Sequence, residues 1–498
     1  MNENIIYEKL LSFGLFPERL KGIFTSEKFG NWIIVNEKSL SIQSTNRYSL
    51  LSYKLTRNNN SPRQMGIPYP IGYLRLVKEI VNNWKKIEKL FQPTFYKEKS
   101  MVCPKIGNKN QRLVSLESYD KNPEVEQLQL DKQFGKKYLV HADISSCFPS
   151  IYTHSISWAL VGKKIAKNNQ FNQRIWYNKI DKACQNLQDG ETRGIPIGPD
   201  TSTILFEIIL SKIDQALKNY DYIRFIDDYA CSCETKEVAE KFIRDLSKNL
   251  EEYKLYLNIK KTKILEYPKA INEDWVRRLR IAIEWESIGK KEKDSVIGFL
   301  DLASELFEKN PDESSIRYAA QVLKKKNYKD YPTYKLVLRY FLNLSFLFPY
   351  IIDTCDFLIG RGLIIFKNQK TEIKIIVQEA FEKVLREHSK YRRSDAITWC
   401  LYLAIEYELV INNFTKIEND ILKTKDPIPV LMVYLYKKVR KETIDYYKKL
   451  ILKVDASEWW LFVYEISRIE NIQLSDTEME KIKNAGITFL SDEITLRL

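Results

Sequence analysis

Two adjacent aspartates, Asp227 and Asp228, stand in the run Ile223-Arg224-Phe225-Ile226-Asp227-Asp228-Tyr229-Ala230. Strand-forming residues lead into the pair and out of it, which predicts a β-hairpin with two carboxylates at its tight turn. Carboxylates forced side by side repel each other unless a cation neutralises them. Their hard oxygens suit Mg²⁺, with Mn²⁺ as the alternative, and Mg²⁺ readily takes phosphate as a co-ligand. A third aspartate at the end of a neighbouring strand would complete a two-metal site for phosphoryl transfer. Asp143 meets that need, closing the alternating run Lys137-Tyr138-Leu139-Val140-His141-Ala142-Asp143. The backbone carbonyl of the next residue, Ile144, offers a further oxygen. The ordinary alternatives are a solvated type I′ turn and a plain strand end. Phe225, Ile226 and Tyr229 argue against a turn that is merely wet.

Three further motifs accompany the acids. Phe148 follows Asp143 by five residues, in Asp143-Ile144-Ser145-Ser146-Cys147-Phe148-Pro149. Next comes Arg193-Gly194-Ile195-Pro196-Ile197-Gly198-Pro199-Asp200, where glycines permit close backbone approach and a helix begins after Pro199. A loop entering a helix N-terminus is a natural platform for a base pair or a phosphate; a rigid connector is the plainer explanation. The last is the basic strand end Leu257-Asn258-Ile259-Lys260-Lys261-Thr262-Lys263. There Lys260 or Lys261 can meet phosphate charge, or simply blunt a sheet edge.

The elements that must position these residues follow from periodicity. A strand over 137–144 precedes helices over 153–167, 176–187 and 200–218. The hairpin at 222–234 follows, then a helix N-capped by Thr235 and running to Tyr253, then a strand over 255–266. This is an α+β sheet layer backed by helices. A helix is also expected over 73–91, with a loop over 58–63. Beyond residue 290 helical periodicity takes over: 298–308, 313–325, 332–345, 371–387, 393–409, 428–440, 443–453 and 457–468. Serial helices of this size, without a strict sequence repeat, suggest a HEAT-like stack or an irregular α-domain. The expected division is an N-terminal region over 1–130, an α+β core over 131–285 and a helical domain over 286–498; the resemblance given below makes the first two fingers-like and palm-like. The last boundary falls near the charged stretch Gly289-Lys290-Lys291-Glu292-Lys293.

Composition sets outer limits. The chain has 498 residues, 44% hydrophobic and 12% aromatic, enough for roughly three packed domains rather than disorder. The net charge of +14 points to a polyanionic partner, or to a lysine-rich proteome. Seven scattered cysteines suggest free thiols in a reducing compartment, and three histidines leave little for a histidine-based metal site. The start lacks a signal-peptide pattern. The apolar stretch Leu342 to Ile359 is interrupted by Asn343, Pro349, Asp353 and Asp356, and reads as a buried helical hairpin rather than a membrane span. A cytoplasmic bacterial protein is the expectation.

Taken together, the motif order resembles the palm of reverse transcriptases, whose motif is Tyr-x-Asp-Asp; here Phe225 takes the tyrosine's place. Tyr152-Thr153-His154-Ser155-Ile156-Ser157-Trp158, Ala183-Cys184-Gln185 and Gly194-Ile195-Pro196-x-Gly198 are similar to the bacterial abortive-infection reverse transcriptases (the AbiK and AbiA group, with prophage-encoded relatives). The resemblance covers residues 135–270 best. It implies that Asp143, Asp227 and Asp228 bind two divalent ions, with Asp228 in the lesser role. It also implies that Phe148 crowds the sugar 2′ position, and that Gly194, Pro196 and Gly198 form the floor under the nascent base pair. Lys260 or Lys261 would lie near the departing phosphate, with Arg112 as a finger-side phosphate contact.

The chain departs from ordinary reverse transcriptases. Arg193 stands where a glutamine is usual, and helices stand where a thumb is expected. The resemblance implies untemplated synthesis from deoxynucleoside triphosphates, primed on a protein tyrosine that stays attached to the single-stranded DNA product, in anti-phage defence. Tyr7 is the first choice for that tyrosine, with Tyr48 and Tyr53 as rivals. A closed homo-oligomer is expected from apolar helices such as Trp459-Trp460-Leu461-Phe462-Val463-Tyr464, with an intramolecular core as the plainer alternative for these rings. The competing readings are a conventional RNA-templated reverse transcriptase, a nucleic-acid-binding scaffold with an inactive palm, and a nuclease.

Overall fold

The computed structural model describes residues 2–498 apart from 44, 58–60, 103–111, 115–122, 269–273, 285–291 and 312–313. Gly289, Lys290 and Lys291 of the expected linker lie outside the described residues. The chain divides into two compact units. One comprises Met1–Leu51, Gly66–Ile271 and Ser467–Phe489; the other comprises Ser52–Met65, Asn272–Ile466 and Leu490–Leu498.

Strands β1 (Leu51–Thr56) and β2 (Pro62–Ile67) pair as a two-stranded ribbon; of the loop expected over 58–63, residues 58–60 lie outside the described residues, and Pro62 and Arg63 begin β2. The main sheet lies in the first unit. It contains β3 (Tyr138–Asp143), β4 (Asp221–Phe225), β5 (Asp228–Cys233) and β6 (Lys263–Glu266) in the order β4-β5-β3-β6, antiparallel at each pairing. The central position of β3 explains its apolar run: Leu139, Val140 and Ala142 are buried, and so is Asp143. The Lys236–Glu252 helix packs on β3 and β5 through Ala239, Phe242, Leu246 and Leu250, a stripe at helical spacing. Thr235 caps it, accepting from the Val238 N–H at 3.3 Å.

Three expected elements are shorter than periodicity suggested. The helix over 153–167 is two, His154–Val161 and Lys163–Asn168, parted at Gly162 with φ of +89°. The helix over 73–91 is likewise split, into Pro70–Val81 and Trp84–Phe91. Of the strand over 255–266 only Lys263–Glu266 pairs, because the chain first turns: the Lys261 and Thr262 N–H groups both donate to the Asn258 carbonyl, at 3.1 and 3.0 Å.

The second unit is helical, and neighbours in sequence pack as neighbours in space. Tyr331–Leu347 lies on Lys370–His388, which lies on Ser394–Glu406, which lies on Pro427–Val439. Leu342 to Ile359 folds as helix, 3₁₀ turn and helix with a buried interior. Among the described residues no helix is long and apolar enough to cross a membrane. The segment Trp459–Tyr464 is buried within the unit, with Trp460 at 1% exposure. The expectation that it forms an intersubunit surface is therefore corrected: these rings fill an intramolecular core.

Candidate active site

Register brings the acids together. β3 and β5 run antiparallel with Asp143 opposite Asp228, and Asp227 occupies the two-residue turn between Phe225 and Asp228. Directly opposed residues of such a pair stand about 5 Å apart. The turn is strained. Ile226 has φ of +56°, in the left-handed region that a β-branched residue avoids. Only this first central residue has positive φ, the sign pattern of a II′ turn rather than a I′ turn. Two bonds hold it: Arg224 Nη1 donates to the Ile226 carbonyl (3.0 Å) and the Ile144 N–H donates to the Asp227 carbonyl (3.1 Å). Backbone strain kept in place by its surroundings is a mark of functional turns.

Electrostatics set the pair apart from a solvated turn. Burial, the Asp227 charge and the hydrogen bond to Asp143 push the Asp228 carboxyl up to about 7. Asp143 accepts from Asn258 Nδ2 (3.0 Å) and from Lys261 Nζ (2.9 Å). Burial opposes the Lys261 charge, but Asp143, Asp228 and Asp227 more than offset it and raise that ammonium's pKa. One lysine thus serves three carboxyl groups, a deficit that hard cations remedy. Among the described residues no three acidic or imidazole side chains close on one point as a ready cage. The set still fits a divalent ion whose remaining oxygens come from water and phosphate.

The neighbouring motifs are braced against this cluster. Phe148 is half-buried and packs on Phe206, centroids 5.3 Å apart. Its turn is pinned by the glycine loop, with Gly194 N–H on the Ile151 carbonyl (2.7 Å) and Ile195 N–H on the Phe148 carbonyl (3.1 Å). Gly194 has φ of +84°, and a Cβ there would meet the Pro149 carbonyl at 3.3 Å. Pro196 packs beside Gly66, and the Gly198 carbonyl accepts from Arg112 Nη2 at 2.7 Å. Lys260 is exposed.

Several expected residues have other employment. Arg112 is ion-paired to buried Asp200 and also donates to the Phe16 carbonyl (3.0 Å), so its guanidinium holds the 194–200 loop rather than standing open to a phosphate. Tyr7 donates to Glu37, which pairs with Lys78; burial and Glu37 raise the phenol's pKa. Tyr48 stacks on Tyr69 at 4.5 Å. Tyr53 is fully buried, away from any nucleotide in solution.

Other residues escaped the reading. Asn258 orients Asp143, yet an asparagine before lysines reads as a turn. Arg224 is wholly buried between Glu207 (2.8 Å) and Asp214 (2.8 Å). Tyr222 donates to Asp214, and Tyr96 and Ser100 donate to Glu207. An arginine in an apolar run was the signal, since a buried charge needs partners.

The family model described as reverse transcriptase (RNA-dependent DNA polymerase) matches residues 59–307. Among solved structures, apo telomerase from Candida tropicalis, truncated from its C-terminal domain, is similar at 14% identity, over 48% of this chain and 54% of that one, with a TM-score of 0.30. Telomerase from Candida tropicalis in complex with a TWJ fragment of telomeric RNA is similar at 13% identity, over 78% and 66%, with a TM-score of 0.33. The Candida albicans complex with that RNA fragment gives 13%, 84%, 67% and 0.32. The chain thus spans 54% and 66% of the first two. No curated protein sequence matches it. With half its length matched by that model, the chain belongs to the reverse transcriptase family.

Proposed function

We propose that this reverse transcriptase polymerises deoxynucleotides at Asp143, Asp227 and Asp228 with Mg²⁺, without a template, from a protein tyrosine, in abortive-infection defence. The observation that carries the polymerase reading is the register pairing of Asp143 with Asp228, beside Asp227 in a strained turn. Divalent ions held by these carboxylates and the Ile144 carbonyl would supply Lewis-acid neutralisation of phosphoryl charge. Phe148, fixed by Phe206 and the glycine loop, limits the room for a sugar 2′ substituent. Lys261, with 64% of its side chain exposed, is free to turn from Asp143 toward a departing phosphate. Lys260, exposed beside it, is the alternative for that role.

Tyrosine priming and untemplated synthesis rest on the motif resemblance over 152–158 and 183–198 and on Arg193 in the glutamine position. Of the three tyrosines, Tyr7 has a carboxylate, Glu37, that can take its proton as general base. Self-association, without Trp459–Tyr464, would use a face such as Phe357 and Ile364, 44% and 70% exposed.

The test is incubation of the purified protein with labelled deoxynucleotides and Mg²⁺ alone. Labelled, protein-linked DNA from wild type and none from Asp227→Ala is the expected result. Product only when an RNA template–primer is added would replace this reading with conventional templated copying.

A further inference from the structure

A cavity of about 700 Å³ opens within the first unit, with Ser150 and Arg193 of the motif-bearing segments in its lining. Its floor is built from the His154–Val161 and Trp176–Asn186 helices. There Trp158, Asn178 and Asp181 are nearly buried, and His154 Nδ1 pairs with Asp181. Tyr152 stands edge-on to both His154 (4.9 Å) and Trp158 (5.6 Å). The mouth carries exposed Arg193, Lys254 and Lys167, together with Tyr256 at 57% exposure. Among the described residues no carboxylate lies within ion-pair distance of those three cations.

We infer that this cavity is a second nucleotide site, which takes one nucleoside phosphate with its base on the aromatic rings and its phosphate on the cations at the mouth. The inference rests on the polymerase reading for its biological sense. Aromatic faces that accept any base, combined with unpaired cations for phosphate, are the elements of nucleotide recognition without sequence preference. His154 adds a donor whose partner Asp181 holds the ring in place.

The cavity touches the catalytic motifs from behind. Ser150, in the turn that carries Phe148, lines it. Arg193 immediately precedes Gly194, whose N–H holds that turn, and bridges to Tyr152. The Ser145 N–H, two residues past Asp143, donates to the Tyr256 carbonyl at 2.8 Å. A nucleotide seated here braces both the Phe148 turn and the strand end that bears Asp143. It can be a free nucleotide or one unit of a nucleic-acid strand, and the chemistry is shared.

Photocrosslinking of the full chain distinguishes them. One arm uses 8-azido-dATP and the other a short oligothymidylate carrying 5-iodouracil, both in EDTA, so that metal-dependent binding at the carboxylates is silent. Adducts are mapped by peptide mass. The expected result is labelling of peptides spanning 150–158 or 254–256. The paired charge reversals Arg193→Glu and Lys254→Glu should lower it at least fivefold. Both positions are exposed, and circular dichroism verifies the fold; Tyr256→Ala, which keeps every charge, should lower the yield as well. Labelling by the azido nucleotide assigns a free-nucleotide ligand; labelling by the oligonucleotide alone assigns a strand. Absence of adducts in these peptides from both probes, or yields that the charge reversals leave unchanged, overturns the inference. Incorporation with Mg²⁺ is measured on the same preparation. Labelled peptides without incorporation would reject the polymerase reading alone, and incorporation without labelled peptides would reject the cavity alone.

Discussion

On the proposed reading, Phe148 is the residue on which nucleotide choice turns. Its ring packs on Phe206, and the turn that carries it is fixed by the backbone bonds from Gly194 and Ile195. Phe148→Ala should relax preference for deoxynucleotides over ribonucleotides by about tenfold or more, the scale for a pocket wall that loses a ring. The ratio of kcat/KM for dATP and ATP measures it. His154 makes a second prediction. The hydrogen bond that His154 donates to Asp181 raises the imidazole's pKa. A group with a raised folded-state pKa contributes stability that is fully present below the ordinary histidine value and fades as pH climbs through the raised one. Melting temperature should therefore fall as pH climbs above about 6.5 in wild type, and His154→Gln should flatten that slope. At this scale the sequence was most legible where chemistry demanded a residue type: two acids in a strand-turn-strand pattern and a third at a strand end. It was least legible for tyrosines and for Arg112. Exposure and partners decide what a phenol or a guanidinium does, and neither is written in local spacing.

Among the elements, β4 and the Asp200–Ala216 helix share a buried ion network that fixes the hairpin's root. Arg224 lies between Glu207 and Asp214, all three wholly buried. Removing the arginine leaves two buried carboxylates uncompensated. Arg224→Met should cost about 3–5 kcal/mol, and adding Glu207→Gln with Asp214→Asn should recover part of it. Denaturant unfolding followed by a probe in the first unit is the check. Strands β3, β4 and β5 were readable because apolar alternation and turn chemistry agree there. The strand expected over 255–266 was not, because Asn258 draws the next N–H groups into a turn that side-chain alternation does not register. The same limit applies at Gly162, where one glycine in the left-handed region divides a periodic helix.

The whole molecule carries net charge +14, and its first unit presents exposed cations at Arg193, Lys254 and Lys260. Single-stranded DNA that neutralises three or four such exposed cations releases counterions. Its affinity should then fall about 20- to 50-fold between 50 and 200 mM salt. Fluorescence anisotropy across that range measures the slope, and a flat response would remove nucleic acid as the explanation for the charge. Helical character past residue 290 was plain in the periodicity. The interlacing of the units was not: Ser52–Met65 belongs to the helical unit, where the Thr56 N–H and hydroxyl both donate to buried Asp395. Long-range pairing of this kind depends on partners hundreds of residues apart, and no window along the chain contains both.

The account depends on three carboxylates sharing a cation with a nucleotide. A crystal grown with Mn²⁺ and a non-hydrolysable deoxynucleoside triphosphate tests that directly through anomalous scattering. The account predicts a peak bound by Asp143 and Asp227 at about 2.1–2.2 Å, with the triphosphate completing its shell and Lys261 withdrawn from Asp143. A metal that binds the triphosphate alone, with Asp143 still paired to Lys261 and Asn258, would contradict it.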